Sequence, residues 1–283
     1  MSAEWKNRWD RLRIPSLRDL FRVEKPVIGM VHLWPLPGAP GYTGYGMDKV
    51  VDEALADART LVRGGVDGLI VENMWDLPFY VGRGVPPEES ACQAVAARAV
   101  VEEVSIPVGI NVVHNGGVVA VAIAVASGAA FMRVCLFTGA QVWDTGEFDH
   151  GCAAELLRKR KELHAEHIKL LCDVDKKHAV RFPGIDLATH IEWTEFYGAD
   201  ALIVSGRMTG DAPDVDKVQA AKELGHRPVL VGSGADETNI GAFLRWADGV
   251  IVGSSLKADG DPTNPVDEER VKRFVEAARA GRG

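Results

Sequence analysis

Eight short runs rich in apolar and β-branched residues recur along the chain, at 27–33, 68–73, 108–113, 131–137, 168–174, 201–205, 229–232 and 249–253, with longer stretches of helical pattern between them. Strands separated by helices long enough to cross back over a sheet pair in parallel, since antiparallel hairpins need no crossover. Several runs are apolar at every position, as strands covered on both faces are. Eight of them suit closure into a TIM-type (β/α)₈ barrel. A doubly wound open sheet alternates in the same way. Against it, no GxGxxG follows the first run, which leads into the proline-rich loop His32-Leu33-Trp34-Pro35-Leu36-Pro37-Gly38-Ala39-Pro40, unable to open a phosphate-cradling helix.

The expected organisation is one barrel over residues 26–283, preceded by an N-terminal helical extension over 1–25. In that extension Trp5, Trp9, Leu12, Leu17, Leu20 and Phe21 fall at roughly helical spacing and should pack as a lid on the barrel bottom, with a subunit contact as the alternative. Helices are expected over 47–63, closed by Gly64-Gly65, and over 86–104, opened by Pro86-Pro87-Glu88-Glu89. Gly65-Val66-Asp67-Gly68, Gly198-Ala199-Asp200-Ala201 and Trp246-Ala247-Asp248-Gly249 each precede a strand, which assigns them to the stability face of a barrel.

Hydrophobic residues make up 47% of the 283 and charged ones 25%, the balance of a globular chain able to bury a large core. The net charge of −8 argues against nucleic acid or anionic lipid as a partner. The longest apolar stretch, 116–132, is broken by glycines and falls short of a membrane span. The charged N-terminus lacks the apolar core of a secretory signal, so a cytoplasmic protein is expected. Cys92, Cys135, Cys152 and Cys172 have no paired spacing and read as reduced, packed thiols.

Polar residues at strand C-termini face a barrel's active-site mouth. Here they are His32, Glu72 with Asn73, Asn111 with His114 and Asn115, Arg133, the run Asp173-Val174-Asp175-Lys176-Lys177-His178, and Ser205-Gly206-Arg207. The last two strands end in Gly232-Ser233-Gly234-Ala235 and Gly253-Ser254-Ser255, small residues that let backbone N–H groups approach an anion. Barrels frequently hold phosphate after their seventh and eighth strands, so Gly232, Ser233, Gly234, Gly253 and Ser254 are the expected phosphate cradle, with Arg133, Ser205 and Gly206 beside it. Glu72 is a candidate general base or magnesium ligand, or the partner of Arg133 in an ion pair. Asp173 and Asp175 alternate by two and would share a strand face as an acid–base or metal pair, or else Asp175 caps the next segment while Asp173 neutralises a neighbouring lysine. Lys177 is a Schiff-base or phosphate lysine provided it lies inside the mouth, and Asn111 and His32 complete the candidate catalytic set. HExxH, paired CxxC, P-loop and GxSxG motifs are absent from the sequence, which removes their usual chemistries.

The stretch Lys25-Pro26-Val27-Ile28-Gly29-Met30-Val31-His32-Leu33, followed by Pro35-Leu36-Pro37-Gly38-Ala39-Pro40, resembles the opening signature of the BtpA/SgcQ family. The resemblance continues through Gly68-Leu69-Ile70-Val71-Glu72-Asn73, Gly109-Ile110-Asn111-Val112, Asp173 to Ala179, Ala201 to Gly206 and Val231-Gly232-Ser233-Gly234. It implies a barrel like those of the ribulose-phosphate-binding superfamily, in a family named for a cyanobacterial role in photosystem I accumulation. Two functions are carried forward. One is an enzyme, a phosphosugar or nucleoside-related lyase, hydrolase or isomerase, that takes a small phosphorylated ligand and works as a homo-oligomer. The other is a non-catalytic biogenesis factor for a membrane complex.

Overall fold

The computed structural model describes residues 16–282. In chain order the elements are α1 (Leu17–Phe21), β1 (Val27–His32), α2 (Met47–Gly64), β2 (Gly68–Glu72), α3 (Pro87–Glu103), β3 (Val108–Asn111), α4 (Gly117–Ser127), β4 (Phe131–Val134), β5 (Ala140–Trp143), β6 (Phe148–His150), α5 (Ala153–Glu162), β7 (Lys169–Asp175), β8 (Ala179–Arg181), α6 (Leu187–Phe196), β9 (Ala201–Val204), α7 (Val215–Leu224), β10 (Val229–Val231), α8 (Ile240–Phe243), β11 (Gly249–Val252) and α9 (Glu268–Gly281). Eight parallel strands close in the order β1-β11-β10-β9-β7-β4-β3-β2, the TIM barrel expected from the alternation. No helix among the described residues is long and apolar enough to cross a membrane.

The strand runs are apolar throughout because both faces are buried. Val27, Val31, Leu69, Val71, Ile110, Met132, Cys172, Leu202, Val231 and Val250 pack outward against the helices. Ile28, Met30, Ile70, Phe131, Leu171, Ile203, Leu230 and Ile251 fill the barrel's lower interior. Two glycines make room there: a Cβ on Gly109 would sit 2.3 Å from the Phe131 ring, and one on Gly68 would sit 2.5 Å from that of Phe21.

Phe21 belongs to α1, whose Ser16 forms a capping box with Asp19. Its ring meets Phe131 edge-on with centroids 5.3 Å apart, and Leu17 is buried beside it. Helix α1 therefore plugs the N-terminal end of the barrel, as expected for Leu17 and Phe21. The expectation for Trp5, Trp9 and Leu12 lies outside the described residues.

The repeated Asp residues have one shared task. Asp67 accepts the N–H of Val27 at 2.9 Å, Asp200 that of Leu170 at 2.8 Å and Asp248 that of Val229 at 2.8 Å. Each carboxylate thus satisfies a backbone donor at the start of a neighbouring strand, where the ladder offers it nothing.

A second sheet, antiparallel in the order β6-β5-β8, sits beside the barrel and was not anticipated. The expected fourth strand accordingly ends early, at Val134, and the chain leaves the barrel to form β5 and β6 before returning to it as β7. Replacing Phe21 by Ala is expected to cost about 3–5 kcal/mol, because the barrel end cannot collapse onto the vacated space. Denaturant unfolding monitored by circular dichroism measures it.

Candidate functional site

The inward alternation that stacks apolar side chains low in the barrel brings polar ones to its C-terminal end. Register pairs His32 with Glu72 and Glu72 with Asn111, so the three stand side by side. The Asn111 amide donates to Glu72 Oε2, and Asn111 Oδ1 accepts from the Cys135 thiol at 3.4 Å. His32 Nε2 lies 4.0 Å from Glu72 Oε1, beyond hydrogen-bond reach. Burial, aided by Lys257 and Lys177, pushes His32 down to about 4 despite Glu72, so the ring is neutral at neutral pH. Burial opposes ionisation of Glu72, but the positive charges of Arg133, Lys177 and Lys176 counter it, and the carboxyl is held below its usual range. Glu72 is therefore an ionised base.

The other half of the layer is closed on itself. Arg133 grips Asp173 with Nε to Oδ2 and Nη2 to Oδ1, both at 2.9 Å, and Nη2 also reaches the Gly232 carbonyl at 3.1 Å and Ser205 Oγ at 3.4 Å. Ser205 Oγ stands 3.1 Å from Asp173 Oδ1 and 2.5 Å from the Gly232 carbonyl. Burial alone would lower the basicity of Arg133, and Asp173 reverses this and raises it. Of the residues expected to bind phosphate, Arg133 and Ser205 are thus engaged with Asp173, the Gly232 carbonyl accepts from both of them, and the pairing of Arg133 with Glu72 is not formed. A divalent cation at this mouth would have Glu72 as its carboxylate, and among the described residues no three His, Cys, Asp or Glu side chains gather as a metal-binding group.

Asp173 and Asp175 do not share a site. A register shift between them breaks the alternation of β7, and Asp175 turns to Lys217 at 2.6 Å and Arg181 at 3.8 Å. The bulge was invisible in a run without glycine or proline.

The glycines after β9 and β10 serve close backbone approaches, Gly206 within its own loop and Gly234 to the loop after β9. A Cβ on Gly206 would meet the Asp211 carbonyl at 2.1 Å, and one on Gly234, whose φ is +81°, would meet the Ala212 nitrogen at 2.2 Å. Ser233 Oγ is buried and finds no hydrogen-bond partner among the described residues, and the same holds for His32 Nδ1. Gly253 lies against the His32 ring, where a Cβ would come within 3.0 Å, and Ser254 opens a single 3₁₀ turn.

Beside Glu72 a cavity of about 600 Å³ opens, walled by Met74, Leu77, Phe79, His114, Asp144, Lys176, Lys177, His178 and Thr209. Lys177 lies inside the mouth, which meets the condition set for it. Burial pushes its amine down to about 8, with Lys176 and Arg133 adding to the effect and Glu72 and Asp173 opposing it. His114 stacks on Trp143 at 4.1 Å and is pushed down to about 4, chiefly by burial, then by Lys176.

The sequence reading missed a hydrogen-bonded chain along this wall. Lys177 Nζ lies 3.1 Å from Thr209 Oγ1, which is 2.9 Å from His178 Nε2, and His178 Nδ1 is 2.7 Å from Asp144 Oδ2. His178 was in view beside Lys177, but Asp144 and Thr209 sit in loops whose composition carries no periodic signal. Sheet β6-β5-β8 brings two of them together: Trp143 pairs with Ala179, and the Asp144 N–H donates to the His178 carbonyl at 2.9 Å.

Two further buried carboxyls, Asp76 in the loop after β2 and Glu89 on α3, stand near one another. Asp76 accepts the Leu36 N–H at 2.8 Å and is pushed up to about 6 by burial, against the Leu36 and Asn73 bonds. Glu89, nearly buried at the start of α3, is pushed up to about 7 by burial, then by Asp76 and Glu88.

A sequence model of the BtpA family matches residues 23–280. A Synechocystis protein described as photosystem I biogenesis protein BtpA is 42% identical over 268 residues, 94% of this chain and 92% of its own. Among solved structures, thiamine phosphate pyrophosphorylase from Pyrococcus furiosus superposes with a TM-score of 0.58 at 13% identity, over 95% of this chain and 100% of that one. 3-Hexulose-6-phosphate synthase from Salmonella typhimurium does so with a TM-score of 0.57 at 16% identity, over 90% and 99%. At such identities the likeness shows the barrel fold alone.

Both raised carboxyls favour the fold when protonated, so their contribution is complete below the ordinary carboxylate range and is lost as pH rises through about 6 for Asp76 and about 7 for Glu89. The melting temperature should therefore fall between about pH 5 and pH 8, and Glu89→Gln should flatten that fall. Differential scanning calorimetry across the range is the check.

Proposed function

The chain belongs to the BtpA family, and from that premise we propose that it is an enzyme acting on a small phosphorylated metabolite, a sugar phosphate or a nucleoside-derived compound, at the C-terminal face of its barrel. The observation that carries the reading is one cavity, about 600 Å³, faced by both Glu72 and Lys177. A carboxylate kept ionised and an amine kept weakly basic in a confined space are the two halves of acid–base work at neutral pH. A site that only packed would pair them off. In this reading Glu72 moves the proton, Asn111 fixes the carboxylate through its amide, and neutral His32 lends an uncommitted ring nitrogen.

The phosphate would sit toward Ser233, Gly253 and Ser254, where a buried hydroxyl lacks a partner, with Lys176 and Lys177 supplying positive charge in a chain that is otherwise acidic. Arg133 and Asp173 then build the wall without touching the ligand. Two barrels of similar fold are named for phosphorylated compounds, thiamine phosphate and 3-hexulose 6-phosphate, which is in keeping with a phosphate end.

Millimolar ribose 5-phosphate is expected to raise the melting temperature by about 2 °C or more, with a smaller rise for inorganic phosphate. Ser254→Asp, which sets a negative charge in the proposed cradle, should abolish both rises. Unchanged melting with every phosphorylated compound tried would sink the phosphate reading.

A second reading, a biogenesis factor for a membrane complex, draws on the description of the Synechocystis relative. Expression of Glu72→Ala and Lys177→Ala variants in a Synechocystis strain lacking that relative separates the two. The enzyme reading expects both variants to fail where the unsubstituted chain restores photosystem I, and the scaffold reading expects both to succeed.

A further inference from the structure

The chain Asp144, His178, Thr209, Lys177 has a direction that its donors fix. The backbone N–H of Thr209 points at His178 Nε2 at 3.2 Å, and an N–H can only donate. Nε2 is therefore the bare ring nitrogen, and the ring proton sits on Nδ1 facing Asp144 Oδ2 at 2.7 Å. With Nε2 an acceptor, the Thr209 hydroxyl at 2.9 Å donates to it, and its oxygen accepts from Lys177 Nζ at 3.1 Å. Every link runs from the lysine toward the aspartate. A carboxylate, an oriented imidazole and a hydroxyl in this order take a proton from whatever stands at the far end. Here that is an amine inside a cavity sized for a small molecule.

We propose that Lys177 is the catalytic amine that condenses with the carbonyl carbon of an open-chain aldose or ketose phosphate, and that Thr209, His178 and Asp144 are positioning residues that relay its proton. The proposal rests on the reading of the mouth as a phosphometabolite site and names the chemistry done there. The lowered basicity of Lys177 supports it, since less is asked of the relay.

The step balances without a co-reactant. Lys177 passes a proton to Thr209 as the Thr209 proton passes to His178, whose imidazolium is held by Asp144. The amine lone pair forms a C–N bond to the carbonyl carbon while the C=O π pair moves to oxygen. A proton shifts from that nitrogen to that oxygen, giving the carbinolamine. The relay returns its proton to the hydroxyl, which leaves as water, and the nitrogen lone pair closes the C=N bond. Ammonium plus carbonyl become iminium plus water, and the relay is restored. Glu72, on the same cavity wall, is then the carboxylate available to take the α-proton that the iminium has made acidic.

The groups facing Lys177 are Lys176 and His178 from its own loop, Glu72 from β2, Arg133 from β4, Asp173 from β7 and Thr209 from the loop after β9. His178 is faced by Asp144 and Thr209, with His114 nearby. With burial pushing the Lys177 amine down to about 8, a change in rate between about pH 7 and pH 9 reports on Lys177 and its relay.

Borohydride trapping tests this on the full chain. The protein is incubated with ribose 5-phosphate or glyceraldehyde 3-phosphate, reduced with sodium borohydride and digested, and peptides are weighed by mass spectrometry. A borohydride-dependent mass increase is expected on the peptide carrying Lys177, absent in Lys177→Arg. Folding of each variant is confirmed by its melting temperature. His178→Gln and Thr209→Val should label at least about 10-fold more slowly at pH 7 and recover toward pH 9, where solvent does the relay's work. Label spread over surface lysines regardless of Lys177 overturns the proposal, as does a His178→Gln variant labelled at pH 7 as fast as the unsubstituted chain. Glyceraldehyde without its phosphate separates the two readings. Lys177 labelled equally fast by it removes the phosphate reading and keeps the imine, whereas a melting shift with ribose 5-phosphate and no label at Lys177 removes the imine alone.

Discussion

A guanidinium inside a barrel cannot find water, and everything at the mouth of this one is arranged around the partner that Arg133 finds in Asp173. The pair is fully buried, bidentate and reinforced by Ser205 and the Gly232 carbonyl, so β4, β7, β9 and β10 meet at one point. Such pairs add little net stability over an apolar filling, but removing one partner strands a charge at a cost of about 3–5 kcal/mol. The consequence is a division of the polar layer. One side is satisfied by its own hydrogen bonds. The other carries His32, Glu72 and Asn111, of which Glu72 faces the cavity.

That division was only half legible in the sequence. The eight strands could be read because two buried faces force apolar residues at every position, and the inward polar positions could be read because they interrupt those runs at their C-terminal ends. The partner choice could not: Arg133 had two carboxylates within plausible reach, and only the register of β4 against β7 decides for Asp173. The pairing of Asp173 with Asp175 failed for a different reason, because one extra residue in β7 turns the strand without any sequence mark. The glycines at 206 and 234 were read as a phosphate signal, yet their nearest neighbours are backbone atoms of the loop after β9. A close approach looks the same in sequence whether it is made to an anion or to the chain itself.

The accessory sheet was missed because its strands are short and half exposed, although Asp144-Thr145-Gly146-Glu147 carries the composition of a turn and Gly146 adopts φ of +88° there. It matters more than its size suggests. Asp144 opens that turn, His178 lies between β7 and β8, and Thr209 follows β9, so three separate loops contribute to one hydrogen-bonded line. No local pattern can announce an arrangement whose members are brought together only by tertiary structure.

The three aspartates at the opposite end, Asp67, Asp200 and Asp248, each secure an N–H at the start of an adjoining strand. Each of them also holds a basic side chain, Arg282, Lys169 and Lys222 respectively, so the barrel is held shut by repeated fasteners remote from the mouth. Substitutions among the upper loops leave those fasteners untouched. A lineage built on this chain is thereby free to explore new ligands while keeping its fold, and relatives that have come to act on different molecules would still be expected to share the same three carboxylates.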